Sequence, residues 1–333
     1  MEIQYQVPLK ALNTFGIRSV ADACVTVKET EELPALSGYT PKYILGGGSN
    51  VLLPAHVHGL VIRNELKGIR QTADQDDYVL LEVASGEVWH DFVMFVLSKG
   101  WSGVENMALI PGTVGAAPIQ NIGAYGVEVK DVIEWVECFE WDSHAIRRLS
   151  APDCRFGYRD SIFKQEYAGK SFITKVCFRL SKKAELNTSY GAIESELAVM
   201  GTDHPAPSDV AEAVMRIRRS KLPDPAQIGN AGSFFKNPTI PLAQYETLRE
   251  TYPDMPSYRV DDSRVKVPAA WLIESCGWKG FREADAGVHQ RQSLVLVNYG
   301  EANGEQLWAL SERIVDSVWE KFQIRPEREV QVW

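Results

Sequence analysis

Closely spaced cysteines are missing from this chain of 333 residues. Its five cysteines, Cys24, Cys138, Cys154, Cys177 and Cys276, stand far apart with no C-x-x-C among them. Neither a disulfide frame nor a zinc site is indicated, and a reducing compartment suits them. The histidines are equally scattered. The one close pair, His56 and His58, reads as a solvated loop rather than half of a metal site, so no metal is expected. A basic stripe is also lacking: 44 acidic residues outweigh 35 basic ones for a net charge of −9. The only tight basic cluster is Arg216, Arg218, Arg219 and Lys221, so no nucleic-acid partner is expected. No uninterrupted apolar run reaches the ~18 residues of a membrane span. The opening residues have no apolar core of signal-peptide type, and a cytoplasmic protein with no membrane partner is expected. Two phosphate-binding signatures are absent as well. Gly46-x-Gly48 is followed by Val51 where a Rossmann loop needs glycine, and no G-K-[ST] occurs.

What remains is an ordinary globular composition, 45% apolar and 24% charged. The length suggests two or three domains, acting on a small molecule as a monomer or weak dimer. Residues 43–45 read as a strand entering Gly46-Gly47-Gly48-Ser49-Asn50, with Val51-Leu52-Leu53 resuming extended structure. Tyr78–Ala84, 131–140 and 172–180 also read as strands. Val88, Phe92, Val93, Phe95, Val96 and Leu97 follow a helical period closed by Gly100 at the C′ position. Ser208 can cap a helix carrying Val210, Val214 and Ile217, stopped by Pro223 and Pro225. A long helix is predicted over 304–322, then a short strand from Glu329 to Trp333. The Gly- and Pro-rich stretch 201–207 marks a linker.

Two glycine-rich segments, 46–50 and 111–126, admit two readings: backbone cradles for a phosphate or dinucleotide, or plain turns. Cys154-Arg-Phe-Gly-Tyr-Arg-Asp-Ser161 gathers two arginines whose forks suit carboxylate or phosphate, though a surface Arg–Asp pair has the same composition. Gly229-Asn-Ala-Gly-Ser-Phe-Phe-Lys-Asn-Pro238 holds Ser233 between small and aromatic residues. With no base nearby, that serine suits hydrogen bonding or proton donation, or is simply a turn residue. Strand alternation puts Glu327 and Glu329 on one face, either as an acid within a closed site or on an exposed edge.

Taken together and in order, these strings resemble the UDP-N-acetylenolpyruvoylglucosamine reductase family, also called UDP-N-acetylmuramate dehydrogenases. The matching strings are Asn13-Thr-Phe-Gly16, Ile44–Val51, Leu109–Gly115, Pro118–Gly126, Cys154–Ser161, Lys221-Leu-Pro-Asp-Pro225 and Gly229–Pro238. The resemblance implies an α+β flavin fold of the vanillyl-alcohol-oxidase type (PCMH-like). Two lobes, 1–67 (with 323–333 returning) and 68–205, would hold FAD without a covalent bond, and 206–322 would form an α+β substrate-binding domain. It implies FAD contacts from Gly46, Gly47, Gly48, Ser49 and Asn50. Pro111, Gly112, Thr113, Gly115, Ala116, Ala117, Ile119, Ile122, Gly123 and Tyr125 would supply the rest.

The implied activity is NADPH-dependent reduction of the enolpyruvyl ether of UDP-N-acetylglucosamine to UDP-N-acetylmuramate, in peptidoglycan synthesis. A hydride goes from flavin N5 to the vinyl carbon. Arg159 and Glu329, the latter protonated, match the residues that stabilise the resulting anion, and Ser233 matches the proton donor to the adjacent carbon. Tyr190 matches a loop tyrosine that closes on the nucleotide-sugar diphosphate in the longer subtype. Lys221 matches a diphosphate contact and Asn237 a sugar-nucleotide contact. One departure is Gln331, where many members carry arginine. Two other readings fit parts of the chain: an FAD oxidase of the same fold acting on a polyol or lactone, which 44–126 alone would allow, and a non-catalytic nucleotide-sugar-binding module.

Overall fold

The strand Ser171–Ser181 carries Phe172, Ile173, Val176, Phe178 and Leu180 in near-continuous succession. Such a run is buried on both faces rather than one. The computed structural model, which describes residues 1–333, places it at the centre of a five-stranded antiparallel sheet. The strand order is Ile146–Ser150, Ile133–Glu140, Ser171–Ser181, Tyr78–Ala84, Ile69–Asp74. Val176 lies opposite Val136 on one side and Val83 on the other. Helix α1 (Trp89–Ser98) buries Trp89, Phe92, Val93 and Val96, spaced as one helical face, in the core that this strand shares. The Phe92 and Phe178 rings stand 4.7 Å apart. Burying each such ring contributes about 1.5–3 kcal/mol. Gly100, at φ 73°, follows the helix as its spacing predicts.

Helix α2 (Gly191–Met200) and helix α3 (Pro207–Lys221) add Ile193, Leu197, Val210, Val214 and Ile217 to the same core. The start of α3 corrects the sequence reading. Proline occupies its first turn, and the Asp209 carboxylate accepts the Ala206 N–H at 2.8 Å, so Asp209 satisfies the helix entry in place of Ser208. A second sheet runs Ile3–Pro8, Val20–Val27, His56–Asn64, Lys42–Leu45, its last two strands parallel. His56 and His58 therefore lie on a strand, not in the expected loop, and alternation turns both to one face. Val25, Leu60 and Ile62 of this sheet pack with Phe139, Trp141 and Phe172.

The chain divides into two compact units. Met1–Val7, Ala21–Gly47 and His58–Ser220 form the first, which holds the elements above; Pro8–Val20, Gly48–Val57 and Lys221–Trp333 form the second. The second contains helices α4 (Leu242–Thr251), α5 (Ala269–Ser275) and α6 (Gly304–Phe322) beside short strands. As predicted, α6 covers 304–322 and buries Leu307, Leu310, Ile314, Val315, Val318 and Phe322. Its entry is a capping box: the Asn303 side chain accepts from Gln306 N and the Gln306 side chain from Asn303 N, both at 2.9 Å. No helix is long and apolar enough to cross a membrane.

The final strand is shorter than expected. Only Gln331–Val332 pairs, in parallel with Val51–Leu52, while Glu329 lies before it. The reason is a competing partner: the backbone at 327–329 turns to bond the segment 234–236 instead.

Candidate active site

In the first unit the two glycine-rich loops meet. A Cβ on Gly46 would stand 2.6 Å from Thr113 Oγ1, and one on Gly47 3.2 Å from Gly112 Cα. Plain turns would leave such positions open; here a side chain would press on Thr113 at Gly46 and on the Gly112 backbone at Gly47. Both glycines stay exposed, so the paired loops present N–H groups to a ligand without side chains in the way.

The second loop is held along its length. Trp89 N–H donates to Gly112 O at 3.0 Å, Val114 N–H to Glu87 O at 2.9 Å and Gly115 N–H to Ser85 O at 2.8 Å. Further on, the 154–161 string grips it. The Ser161 hydroxyl donates to Ile119 O at 2.7 Å. The Arg159 guanidinium donates to Asn121 O at 3.2 Å and Gly123 O at 2.7 Å. Arg159 has φ 54°, a left-handed backbone that tertiary bonds must hold. Asp160 accepts from Gln165 at 3.1 and 2.9 Å, and Arg155 pairs with Glu166 at 3.2 Å. Ile122 is buried, while Ala116 and Ala117 turn the chain between Gly115 and Ile119.

Asn106 ties Tyr125 to the following loop, its amide donating to Tyr125 O at 3.1 Å and Asn187 O at 2.8 Å. The Tyr125 and Tyr190 rings then sit edge-on, 5.4 Å apart, with Tyr190 exposed. Beside Tyr125 lies Arg218, whose Nε is buried and unpaired. Burial pulls its guanidinium below its ordinary range, with Tyr125 acting the other way. Leaving a buried donor unmet costs about 1–3 kcal/mol, so this position calls for a hydrogen-bond acceptor. In the sequence Arg218 reads only as part of a basic cluster, which hides its burial. The available signal was spacing: it continues Val210 and Val214 at four-residue steps on the buried face of α3.

In the second unit, parts of three of the strings converge with the C-terminal segment 327–333. Thr14 N–H donates to Gly48 O at 3.0 Å, and a Cβ on Gly48 would lie 2.0 Å from Leu12 O. Asn230 N–H donates to Thr14 O at 3.0 Å. Phe15 packs on Phe234, with rings 6.3 Å apart. Asn50 accepts Gln331 N–H at 3.1 Å through its carbonyl and donates its side-chain amide to Glu329 O at 3.4 Å. Glu329 N–H donates to Phe234 O, and Lys236 N–H to Glu327 O, both at 2.8 Å. These bonds put half-buried Ser233 and half-buried Glu329 on adjoining segments. Glu327 departs from expectation: it is exposed and pairs with Lys236 at 3.2 Å, so the two glutamates do not share one environment. Ser49 is half-buried beside Asn50, and Lys221 is exposed at the end of α3. Asn237 Oδ1 accepts Ala269 N–H at 3.0 Å at the start of α5, which leaves its amide group for other partners. Arg159 and Tyr190 belong to the first unit, Ser233, Glu329, Lys221 and Asn237 to the second.

A reductase from Chromobacterium violaceum, UDP-N-acetylenolpyruvoylglucosamine reductase, is 50% identical over 99% of this chain and 98% of its own length. The chain belongs to the UDP-N-acetylenolpyruvoylglucosamine reductase family. Enzymes of the same name from Pseudomonas fluorescens Pf0-1 and Flavobacterium johnsoniae are 46% and 45% identical over 99% and 100% of this chain, and 98% and 100% of their own. Residues 224–333 match the reductase C-terminal domain profile and residues 21–148 an FAD binding domain profile. The crystal structure of the Thermus caldophilus reductase superposes with a TM-score of 0.70 at 26% identity, covering 100% of this chain and 99% of that one. Membership of this reductase family carries FAD as cofactor, NADPH as reductant and the vanillyl-alcohol-oxidase-type flavin fold. It also carries a nucleotide-sugar substrate and reduction of that substrate in peptidoglycan synthesis. The C-terminal match separates the chain from a polyol or lactone oxidase of similar flavin fold. The closely packed glycine loops at Gly46, Gly47 and Gly112 fit FAD.

Proposed function

We propose that the chain reduces the enolpyruvyl ether of UDP-N-acetylglucosamine to UDP-N-acetylmuramate through the residues below. FAD, when bound, supplies a hydride for the vinyl carbon and is recharged by NADPH. Residues 46–50 and 111–125 hold it, chiefly through backbone N–H groups. As the hydride arrives, negative charge spreads from the adjacent carbon into the substrate carboxylate. Arg159 supplies positive charge there, and Glu329, in its protonated form, supplies a hydrogen bond. The Ser233 hydroxyl then gives its proton to that carbon, and the alkoxide recovers a proton from water. Tyr190, Lys221 and Asn237 hold the diphosphate and sugar. Arg218, with its unpaired buried Nε, takes an anionic group of the substrate. The lobes are 1–67 (with 323–333 returning) and 68–205, and 206–322 forms the substrate domain, except that the buried face of α3 packs in the core of the first unit. Pairing of Gln331–Val332 with Val51–Leu52 supports the return of the C-terminal residues to the first lobe. The protein works in the cytoplasm as a monomer or weak dimer.

The bond from Glu329 N–H to Phe234 O carries this reading, because it joins the segments of the proposed donor and the proposed stabiliser. The deciding test is the visible flavin spectrum under anaerobic conditions. NADPH should bleach it and the enolpyruvyl nucleotide-sugar should restore it; a bleached flavin that the substrate leaves unchanged overturns the proposal.

A further inference from the structure

The N-terminal turn of α1 meets the segment 107–114 at every second or third residue. The Trp89 indole N–H donates to Met107 O at 3.0 Å, and Trp89 N–H to Gly112 O at 3.0 Å. Between those two bonds, Leu109 N–H donates to His90 Nδ1 at 3.1 Å. Leu109 has φ 60°, a left-handed backbone that a branched side chain disfavours. The next residues, Ile110, Pro111 and Gly112, lead into the face-to-face approach of Gly112 and Gly47. A backbone N–H can only donate. The His90 bond therefore exists only while Nδ1 keeps its lone pair, and a doubly protonated ring would turn an N–H against the Leu109 N–H.

We propose that His90 is a positioning residue of the flavin loop: its neutral imidazole holds Leu109 in the left-handed form, and protonation of the ring loosens FAD. This rests on the reading that 46–50 and 111–125 hold FAD. The charged groups around the imidazole are Asp91 on α1 and Arg219 on α3, while 107–114 contributes no ionisable side chain. Burial, reinforced by Arg219 and opposed by Asp91, lowers the affinity of the ring for a proton. The bond is thus intact above the ordinary histidine range near about pH 6.5, and it is lost as pH falls through the lower folded value.

The test is the dissociation constant of FAD, read from flavin fluorescence between pH 8 and 5, for the wild type, His90→Asn and His90→Phe. Asparagine places an oxygen near the Nδ1 position and does not titrate in this range. The wild type should lose affinity by about tenfold per pH unit once below the folded value. His90→Asn should bind FAD about as well as the wild type at neutral pH with a flat profile. His90→Phe should bind more weakly than the wild type at neutral pH, with a flat profile. An Asn variant that keeps the wild-type slope overturns the proposal, as does a Phe variant with wild-type affinity; if the Phe variant fails to fold, the Asn profile decides. Gly47→Val separates this from the underlying reading. If Gly47→Val still binds FAD, the loop assignment has failed; if it loses FAD while His90→Asn keeps the slope, only the role of His90 has.

Discussion

The backbone N–H of Glu329 donates to the carbonyl of Phe234 at 2.8 Å, although the two residues stand 95 positions apart in the chain. Phe234 is fully buried against Phe15, so its carbonyl is fixed, and Glu329 inherits that rigidity. Asn50 adds a second hold on the Glu329 carbonyl. A site that stabilises a short-lived anion needs such preorganised groups, since movement at the moment of reaction would cost what the interaction supplies.

Ser233→Ala removes the proposed proton donor one residue from Phe234. Flavin reduction by NADPH should stay near the wild-type rate, whereas reoxidation by the nucleotide-sugar should slow by about 10²–10⁴-fold. Rapid-mixing absorbance measures the two half-reactions separately. Equal losses in both would assign Ser233 a structural role instead.

Arg218→Met keeps an unbranched apolar stem and removes an unpaired buried donor. The ligand-free protein should gain about 1 kcal/mol in urea unfolding. At the same time KM for the nucleotide-sugar should rise at least about tenfold, as expected when a charged hydrogen bond to an anion is lost. A destabilised variant with unchanged KM would mean the guanidinium serves only packing.

How far these features could be read beforehand depended on the range of the forces involved. Helices α1 and α6 were legible because a single helical face repeats over several turns, as with Leu307, Leu310 and Ile314. The strand Ser171–Ser181 was legible because burial on both faces writes a continuous apolar run. The site strings could be recognised one by one, but not their meeting, since Thr14, Gly48 and Asn230 are joined by long-range bonds to backbone carbonyls. The alternation argument for Glu327 and Glu329 failed because no regular ladder exists there: a single bridge at Arg328 leaves Glu327 in solvent. Arg218 was hidden by its basic neighbours, although its spacing from Val214 pointed inward.

Glu105 is buried with its carboxylate accepting Gly103 N–H at 2.7 Å. Burial raises its affinity for a proton, only partly offset by backbone N–H groups. The folded state thus favours the protonated form, and its contribution to stability is present at acid pH and lost as pH rises through the raised folded value. Glu105→Gln keeps an acceptor and removes the charge. At neutral pH it should be more stable than the wild type by about 1 kcal/mol, with the gap closing towards pH 4. Melting temperatures of both proteins across that range provide the check, and a gap that widens on acidification would contradict it.

Gly304 opens α6 next to the Asn303 cap, where a Cβ would lie only 2.0 Å from the carbonyl oxygen of Leu53. On an isolated helix, glycine to alanine gains about 1 kcal/mol. Here the clash is with backbone, which cannot rotate away, so α6 or the Leu53 segment must shift at a cost of about 1–3 kcal/mol. The Leu53 segment continues Val51–Leu52, the partner of Gln331–Val332, and that pairing lies two residues beyond Glu329. Gly304→Ala should therefore destabilise the protein in urea and also lower kcat. Asn303→Ala, which only removes the cap, should cost about 1 kcal/mol of stability and leave kcat unchanged. A Gly304→Ala variant that is more stable than the wild type would show that the approach of α6 to Leu53 is looser than the contact implies.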